Sequence, residues 1–294
     1  MEKQRRSRAA VMCTAMFAAA LTTLALAGSA SAFSELYKKF QYCPYKTAGI
    51  VRCLQAVTES GEVVLGSKTV KIASPVTLQG GYAAPVEEFS KLTAPTNGIT
   101  LSKTPQEVPG GLTGIVPSEK SPALVKALIQ FFFNNSLTKV NSVLELAGTV
   151  SLNETNLRQK EGVAMKMPVK IKLENPFLGK NCYVGSDKAP VQWELTAGVT
   201  TPPKGTEPIT GETGTIELLD GGRILKLNGN SLVENNWAAP SASGCGGILS
   251  FLVNPIVNST SGLPSSAGKN VAKLNNTIHI GSANAVKKDN ELNP

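Results

Sequence analysis

The sequence predicts a mainly β fold: an antiparallel β-sandwich or β-barrel with two short apolar helices. Apolar and polar residues alternate along several segments, which is the period expected of half-buried strands. Gly, Pro, Asn and Thr separate these segments, as they do at the turns of sandwiches and barrels. The 294-residue chain is 41% hydrophobic and 17% charged, so it has enough apolar material for a core and does not have the composition of a disordered chain.

The clearest predicted strand covers residues 165–173. Its odd positions are apolar, and its even positions include Lys166, Lys170 and Lys172. One buried face and one basic face are expected of a strand in an antiparallel sheet. Pro168 lies on the polar side and cannot donate a backbone hydrogen bond, which indicates an edge strand or a bulge.

Turn residues between apolar runs predict two hairpins. One covers residues 216–227 and turns at Asp220-Gly221-Gly222. The other covers residues 51–72 and turns at Ser60-Gly61. Further strands are predicted over residues 143–152, 191–196 and 276–280.

Two segments that are apolar on most sides predict short helices, over residues 123–133 and 246–257. Pro122 favours a helix start, and Pro255 is expected to kink or end the second helix. Both are shorter than the about 20 residues that cross a bilayer. Helices that are apolar all round are usually buried, so these two either plug the core or line an apolar cavity. The residues expected to line such a cavity are Leu124, Leu128, Phe131, Phe132, Ile248, Phe251 and Leu252.

The first 32 residues predict an export signal that is cleaved. A basic start and an apolar run are followed by Ala30-Ser31-Ala32, which matches the small-x-small pattern of a signal-peptidase site. A retained anchor helix is the alternative. We expect a signal peptide over 1–32, a single β-rich secreted domain over 33–281 and a disordered tail over 282–294. The mature protein is then extracellular, free or bound to the cell wall, with no transmembrane segment.

Four cysteines follow the leader, and an even number in an exported chain predicts disulfides. Three pairings are possible. We expect Cys43 to pair with Cys53, which is close in sequence beyond a proline and a glycine that bend the chain. Cys182 and Cys245 both lie in glycine-rich stretches and form the second expected pair. The alternative is that some of the thiols are free and buried.

Signatures of chemistry are sparse. The single histidine, His279, excludes zinc sites built from several histidines, and its position opposite an apolar strand face predicts a solvent-side residue. No GxSxG serine-hydrolase motif is present. We predict no cofactor and no metal.

A hydrolase remains the alternative to a binding protein, on two kinds of candidate site. Glu174 and Glu194 are a carboxylate pair that could serve a glycosidase. Serine–lysine spacings occur at residues 136–139 and 266–269, without the partner motifs of penicillin-binding enzymes. The full chain has a net charge of +8, but the leader carries four basic residues and one acidic residue, so the mature chain has a net charge of +5. That is modest for 262 residues, and the basic residues are not gathered as nucleic-acid binding requires.

Two stretches, residues 174–186 and 243–255, are distinctive in sequence. Together with the leader they resemble a group of exported actinobacterial proteins of unknown function, and the similarity runs from about Cys43 to Ile280. The resemblance implies export, the pairing of Cys182 with Cys245, and no catalytic activity. The leading hypothesis is therefore a disulfide-stabilised β-rich protein of the cell envelope, binding or structural, whose more specific form carries an apolar ligand such as a lipid.

Overall fold

A computed structural model of the chain describes residues 33–83, 88–114, 120–124, 126–127 and 137–293. Two antiparallel β-sheets pack face to face as in a β-sandwich, and the described strands do not close into a barrel. The strands are β1 (Arg52–Leu65), β2 (Lys68–Lys71), β3 (Val76–Tyr82), β4 (Ser90–Lys91), β5 (Gln106–Val108), β6 (Val140–Leu146), β7 (Ser151–Leu152), β8 (Met165–Glu174), β9 (Tyr183–Val184), β10 (Val191–Leu195), β11 (Thr215–Leu219), β12 (Ile224–Glu234), β13 (Ala242–Ser243) and β14 (Val271–Ser282). The helices are α1 (Glu154–Gln159), α2 (Ser250–Ser261) and α3 (Ala283–Leu292), with 3-10 turns at Lys38–Phe40, Asp220–Gly222 and Gly247–Leu249.

The two sheets have different centres. In sheet A the order is β11-β12-β14-β1, and both β2 and β3 pair with the far side of β1. In sheet B the strands β6, β7, β9 and β10 all pair with β8. Thr196 and Val233 exchange two backbone hydrogen bonds of 3.0 and 2.9 Å, which link the two sheets. The predicted mainly β, antiparallel fold is confirmed.

Strand β8 has the predicted alternation, with every odd residue from Met165 to Leu173 buried. The expectation that Pro168 marks an edge strand is wrong, because β8 has neighbours on both sides. The carbonyl of Pro168 accepts a hydrogen bond from the amide of Ala147 at 2.9 Å, just after β6 ends at Leu146. The proline nitrogen therefore faces the gap between β6 and β7, where no ladder bond is lost.

The hairpin at Asp220-Gly221-Gly222 is confirmed, whereas the predicted turn at Ser60-Gly61 is wrong. Strand β1 continues through it to Leu65 and turns at Gly66-Ser67 into β2. The register against β14 shifts between Thr58 and Ser60, so a β-bulge with Glu59 as its extra residue lies directly before the glycine. Gly61 has φ 135°, and a Cβ there would lie 2.1 Å from the carbonyl oxygen of Lys273, so no larger residue fits.

A second, smaller core covers one end of the outer face of sheet A. Phe40 from the N-terminal segment and Val286 from α3 pack there with Ile224. The disulfide Cys43–Cys53 joins the N-terminal segment to β1, as expected. Residues 282–294, expected to be a disordered tail, instead form α3 to Leu292, because Val286 is fully buried in this core.

The second expected disulfide, Cys182–Cys245, ties the loop before β9 to the chain just before α2. Pro255 does not end this helix, which continues to Ser261. Side-chain contacts outweigh the one lost backbone bond: the Asn258 amide both accepts from and donates to the backbone of Ala242, at 2.6 and 3.1 Å. Of the helix predicted over 123–133, most lies outside the described residues, and the described residues 123–124 and 126–127 are helical.

Candidate ligand-binding cavity

An apolar cavity of about 110 Å3 lies between the two sheets. Its apolar lining comes from both inner faces. From sheet A it includes Ala56, Val63, Leu65, Val70, Leu78, Leu232 and Leu274. From sheet B it includes Leu144, Met165, Met167, Ile171, Leu173, Val184, Trp193 and Leu195. Its volume is below the roughly 300 Å3 of sites for drug-sized ligands. It is also below the about 150 Å3 of an apolar cavity that holds benzene, so it has room for only part of a hydrocarbon chain.

The β-bulge in β1 decides which side chains reach the cavity. Before the bulge the even positions Ala56 and Thr58 line it, and after the bulge the odd positions Val63 and Leu65 do. Side chains alternate strictly along a regular strand, so if Glu59 took part in the alternation instead of bulging out, the residues after it would exchange faces. The bulge therefore keeps one strand apolar toward the cavity over its whole length.

Polar side chains are few along the cavity, and most are occupied. The Thr58 hydroxyl donates to the side-chain oxygen Oδ1 of Asn276 at 2.7 Å. The Gln106 side-chain amide accepts from two backbone amides and donates to the backbone carbonyl of Ser74 at 2.8 Å. Ser142 donates to the carbonyl of Gln106 at 3.3 Å. These groups are hydrogen-bonded within the protein and need no hydrogen bond from a ligand.

Lys68 is the only charged side chain among the described residues that line the cavity. Within this part of the chain its Nζ has no ion pair or hydrogen bond, and burial lowers its pKa below the ordinary value. Lys68 is thus a half-buried cation on a mainly apolar lining, without an ionic partner among the described residues.

The β1–β2 turn that precedes Lys68 is fixed against the C-terminal end of α2. The amide of Ser67 donates to the carbonyl of Ser261 at 2.9 Å, and the amide of Gly66 donates to the Asn270 side chain at 3.0 Å. Gly66 has φ 59°, and a Cβ there would lie 2.2 Å from the Ser261 oxygen. Only glycine fits this turn, so the position of Lys68 follows from a close backbone contact.

The residues predicted to line a cavity lie elsewhere where the structure describes them. Leu124 is 72% exposed, and on or beside α2 the side chains of Ile248, Phe251 and Leu252 are 97%, 70% and 54% exposed. They are not among the residues that line the cavity between the sheets. Leu128, Phe131 and Phe132 lie outside the described residues. The physical reason is that α2 packs on the sandwich through Val253 and Val257 and turns Phe251, Leu252 and Ile256 to solvent.

Each lysine of the row on β8 has an acidic partner. Lys166 contacts Glu194 at 3.0 Å, Lys170 contacts Asp187 at 2.7 Å, and Lys172 contacts Glu174 at 2.8 Å. The first two also lie over the rings of Phe89 and Tyr183. The basic face predicted from the alternation is present, but its charge is largely balanced.

The candidate carboxylate pair is not brought together. Glu194 lies opposite Lys166 near the start of β8, and Glu174 is the last residue of that strand. The positions of Lys166 and Glu174 are eight residues apart along β8, which corresponds to roughly 27 Å. The two carboxylates of a glycosidase are at most about 9.5 Å apart. Of the serine–lysine spacings, Ser136 lies outside the described residues.

His279 is on the outer face of sheet A, as predicted, but it is half-buried. It lies opposite Gln55 on β1 and Lys226 on β12. Its Nδ1 is buried with no hydrogen-bond partner among the described residues. Burial lowers its pKa to about 4, and the positive charges of Lys39 and Lys226 act in the same direction. The imidazole is neutral at pH 7 and lies on the sheet face opposite the cavity.

Both tryptophans of the chain are close to the cavity. Trp193 lines it, and the ring of Trp237 packs edge-on against Trp193 with the ring centres 5.8 Å apart. Trp193 lies on the buried side of the alternation in β10, whereas the contact between the two rings depends on residues far apart in the chain. Tryptophan fluorescence therefore reports directly on this cavity.

Comparison with protein family models, with curated proteins and with solved structures finds no match to this chain. No group of His, Cys, Asp and Glu side chains suited to a metal ion occurs in the described ranges. None of the helices described is long and apolar enough to cross a membrane. What the residues define is a disulfide-stabilised β protein with an apolar cavity between its sheets.

Proposed function

We propose that this protein is an exported binding protein that carries a slender apolar ligand between its two sheets. The observation that carries the proposal is the cavity itself, whose lining is apolar apart from a few satisfied polar groups and Lys68. Interiors of proteins are normally close-packed, and space of this size in an apolar core forfeits dispersion contacts. A bound hydrocarbon chain restores those contacts.

Three features support a place outside the cytoplasm. The leader has the pattern of an export signal. Both disulfides are of the kind that persist in oxidising compartments. The resemblance of residues 174–186 and 243–255 to exported actinobacterial proteins agrees with both, and we propose membership of that group.

The outer face of α2 favours contact with a lipid surface of the cell envelope. Phe251 and Ile256 are exposed there beside Ile248, and large exposed apolar patches mark interaction sites. The same helix ends at Ser261, which lines the cavity. A lipid surface bound by α2 would therefore lie next to the route by which a lipid enters.

The test is native mass spectrometry of the disulfide-bonded protein, purified without detergent from a host that exports it. The expected result is a protein mass increased by one single-chain amphiphile, which denaturation releases. The control is the same sample after delipidation, which should regain the added mass on incubation with decanol. An unliganded mass that does not change with decanol would contradict the proposal.

A further inference from the structure

Lys68 places one positive charge on the wall of a mainly apolar cavity. It is the one cation on the described lining, and none of the described residues pairs with it. It lies in β2 with Val70, on the same side of the strand, so its aliphatic stem follows the apolar wall. Lys71, on the opposite side of β2, is exposed to solvent.

The position of the ammonium group is constrained. Its Nζ lies 2.9 Å from the point that a Cβ would occupy at Gly114, so it rests against the backbone of the turn over residues 109–114. Lys68 lines the cavity and is itself only half-buried. The charge thus stands at a part of the lining that solvent reaches.

We infer, on the basis of the proposed function, that the ligand is a single-chain amphiphile with an anionic head. Its carboxylate or phosphate pairs with Lys68, and its chain enters the cavity. A partly buried cation with no partner is unfavourable, and an anionic head supplies the missing charge and hydrogen-bond acceptors. The lowered pKa of Lys68 agrees with a site that is completed by an anion.

The experiment is a titration of the full mature protein, followed by tryptophan fluorescence, with decanoate, decyl phosphate and decanol. The three share one chain and differ in the head. Wild type is expected to bind at least one of the two anions about ten-fold more tightly than decanol. Which anion binds better distinguishes a carboxylate from a phosphate head.

Lys68→Met should abolish that preference, so that the two anions bind no more tightly than decanol binds to the same variant, and Lys68→Arg should retain it. Lys71→Met is the matched control and should behave as wild type, because Lys71 is on the other side of β2. Lys68→Gln, a polar uncharged variant, should lose the preference for anions as Lys68→Met does. It serves as a second uncharged variant in case Lys68→Met does not fold.

The outcomes separate the two proposals. If decanol and the anions bind wild type equally, or if Lys68→Met keeps the preference, the inference about the head is overturned and the carrier function stands. If no probe binds wild type, the carrier function and the inference both fail.

Discussion

Val63 and Val64 are neighbours in β1, yet Val63 lines the cavity between the sheets while Val64 lies on the opposite face of sheet A. The two valines are both partly buried, so they differ mainly in the face they occupy. They therefore form a matched pair for asking whether the cavity is used.

Val63→Phe should fill part of the cavity and reduce decanol binding at least ten-fold, since a phenyl ring takes the space of the chain. Val64→Phe adds the same atoms outside the cavity and should bind decanol as wild type does. Tryptophan fluorescence titration measures both. Equal loss of binding in the two variants would point to general destabilisation, and no loss in Val63→Phe would place the ligand elsewhere.

The Cys182–Cys245 disulfide closes a loop with a sequence separation of 63, against 10 for Cys43–Cys53. By loop-closure entropy, replacing Cys182 and Cys245 with serine should lower the free energy of unfolding by roughly 4 kcal/mol. Replacing Cys43 and Cys53 with serine should lower it by roughly 3 kcal/mol. Denaturant unfolding of the two double variants measures this. A larger loss from the short loop would contradict the ranking.

His279 should titrate with a midpoint of about 4 in the folded protein. In the unfolded chain it takes up its proton near its ordinary pKa of about 6.5. The unfolded state therefore binds more protons between these values, and the free energy of unfolding should fall as the pH falls through that window. Because the chain has one histidine, its NMR titration is unambiguous. His279→Gln should flatten the pH dependence, and a folded midpoint near 6.5 would refute the prediction.

Phe251→Glu should weaken binding to vesicles that contain anionic lipid, because it places a charge on the apolar face of α2. Leu218→Glu is the control, since Phe251 and Leu218 are 70% and 68% exposed but lie on different elements. Vesicle flotation measures the bound fraction. If both variants float like wild type, α2 is not a lipid-binding face.

The Asp289 carboxylate on α3 accepts hydrogen bonds from the amide and hydroxyl of Ser34, at 3.0 and 2.7 Å. Asp289→Ala should lower the free energy of unfolding by about 1 to 2 kcal/mol. Glu291→Ala, on the same helix, removes only an exposed pair with Lys287 at 3.8 Å and should cost less than about 0.5 kcal/mol. Thermal unfolding compares them, and equal effects would mean that α3 is not held by Ser34.

Much of the fold could be predicted because its signals are local. The alternation in β8 and the glycines at 221 and 222 act over a few residues, so each identifies a strand or a turn without knowledge of the rest. The β-bulge at Thr58–Ser60 resembles a turn in sequence, since glycine favours both. Pro168 predicts an edge strand or a bulge, and the edge strand is wrong because the pairing of β8 with strands on both sides is not visible in the sequence.

The sequence by itself determined the β class and the strands with clear alternation, and it favoured the two disulfide pairs that form, because side-chain period and cysteine context are properties of short segments. Only the tertiary structure decided where the cavity lies, that Lys68 stands on its wall without a partner among the described residues, and that Ile248 and Phe251 face solvent. Each of these depends on which distant segments meet: two sheets enclose the cavity, and burial of α3 against the N-terminal segment orders a polar tail. Contacts between distant segments leave no periodic pattern in the sequence. The positions of the apolar residues therefore do not show which segments face one another.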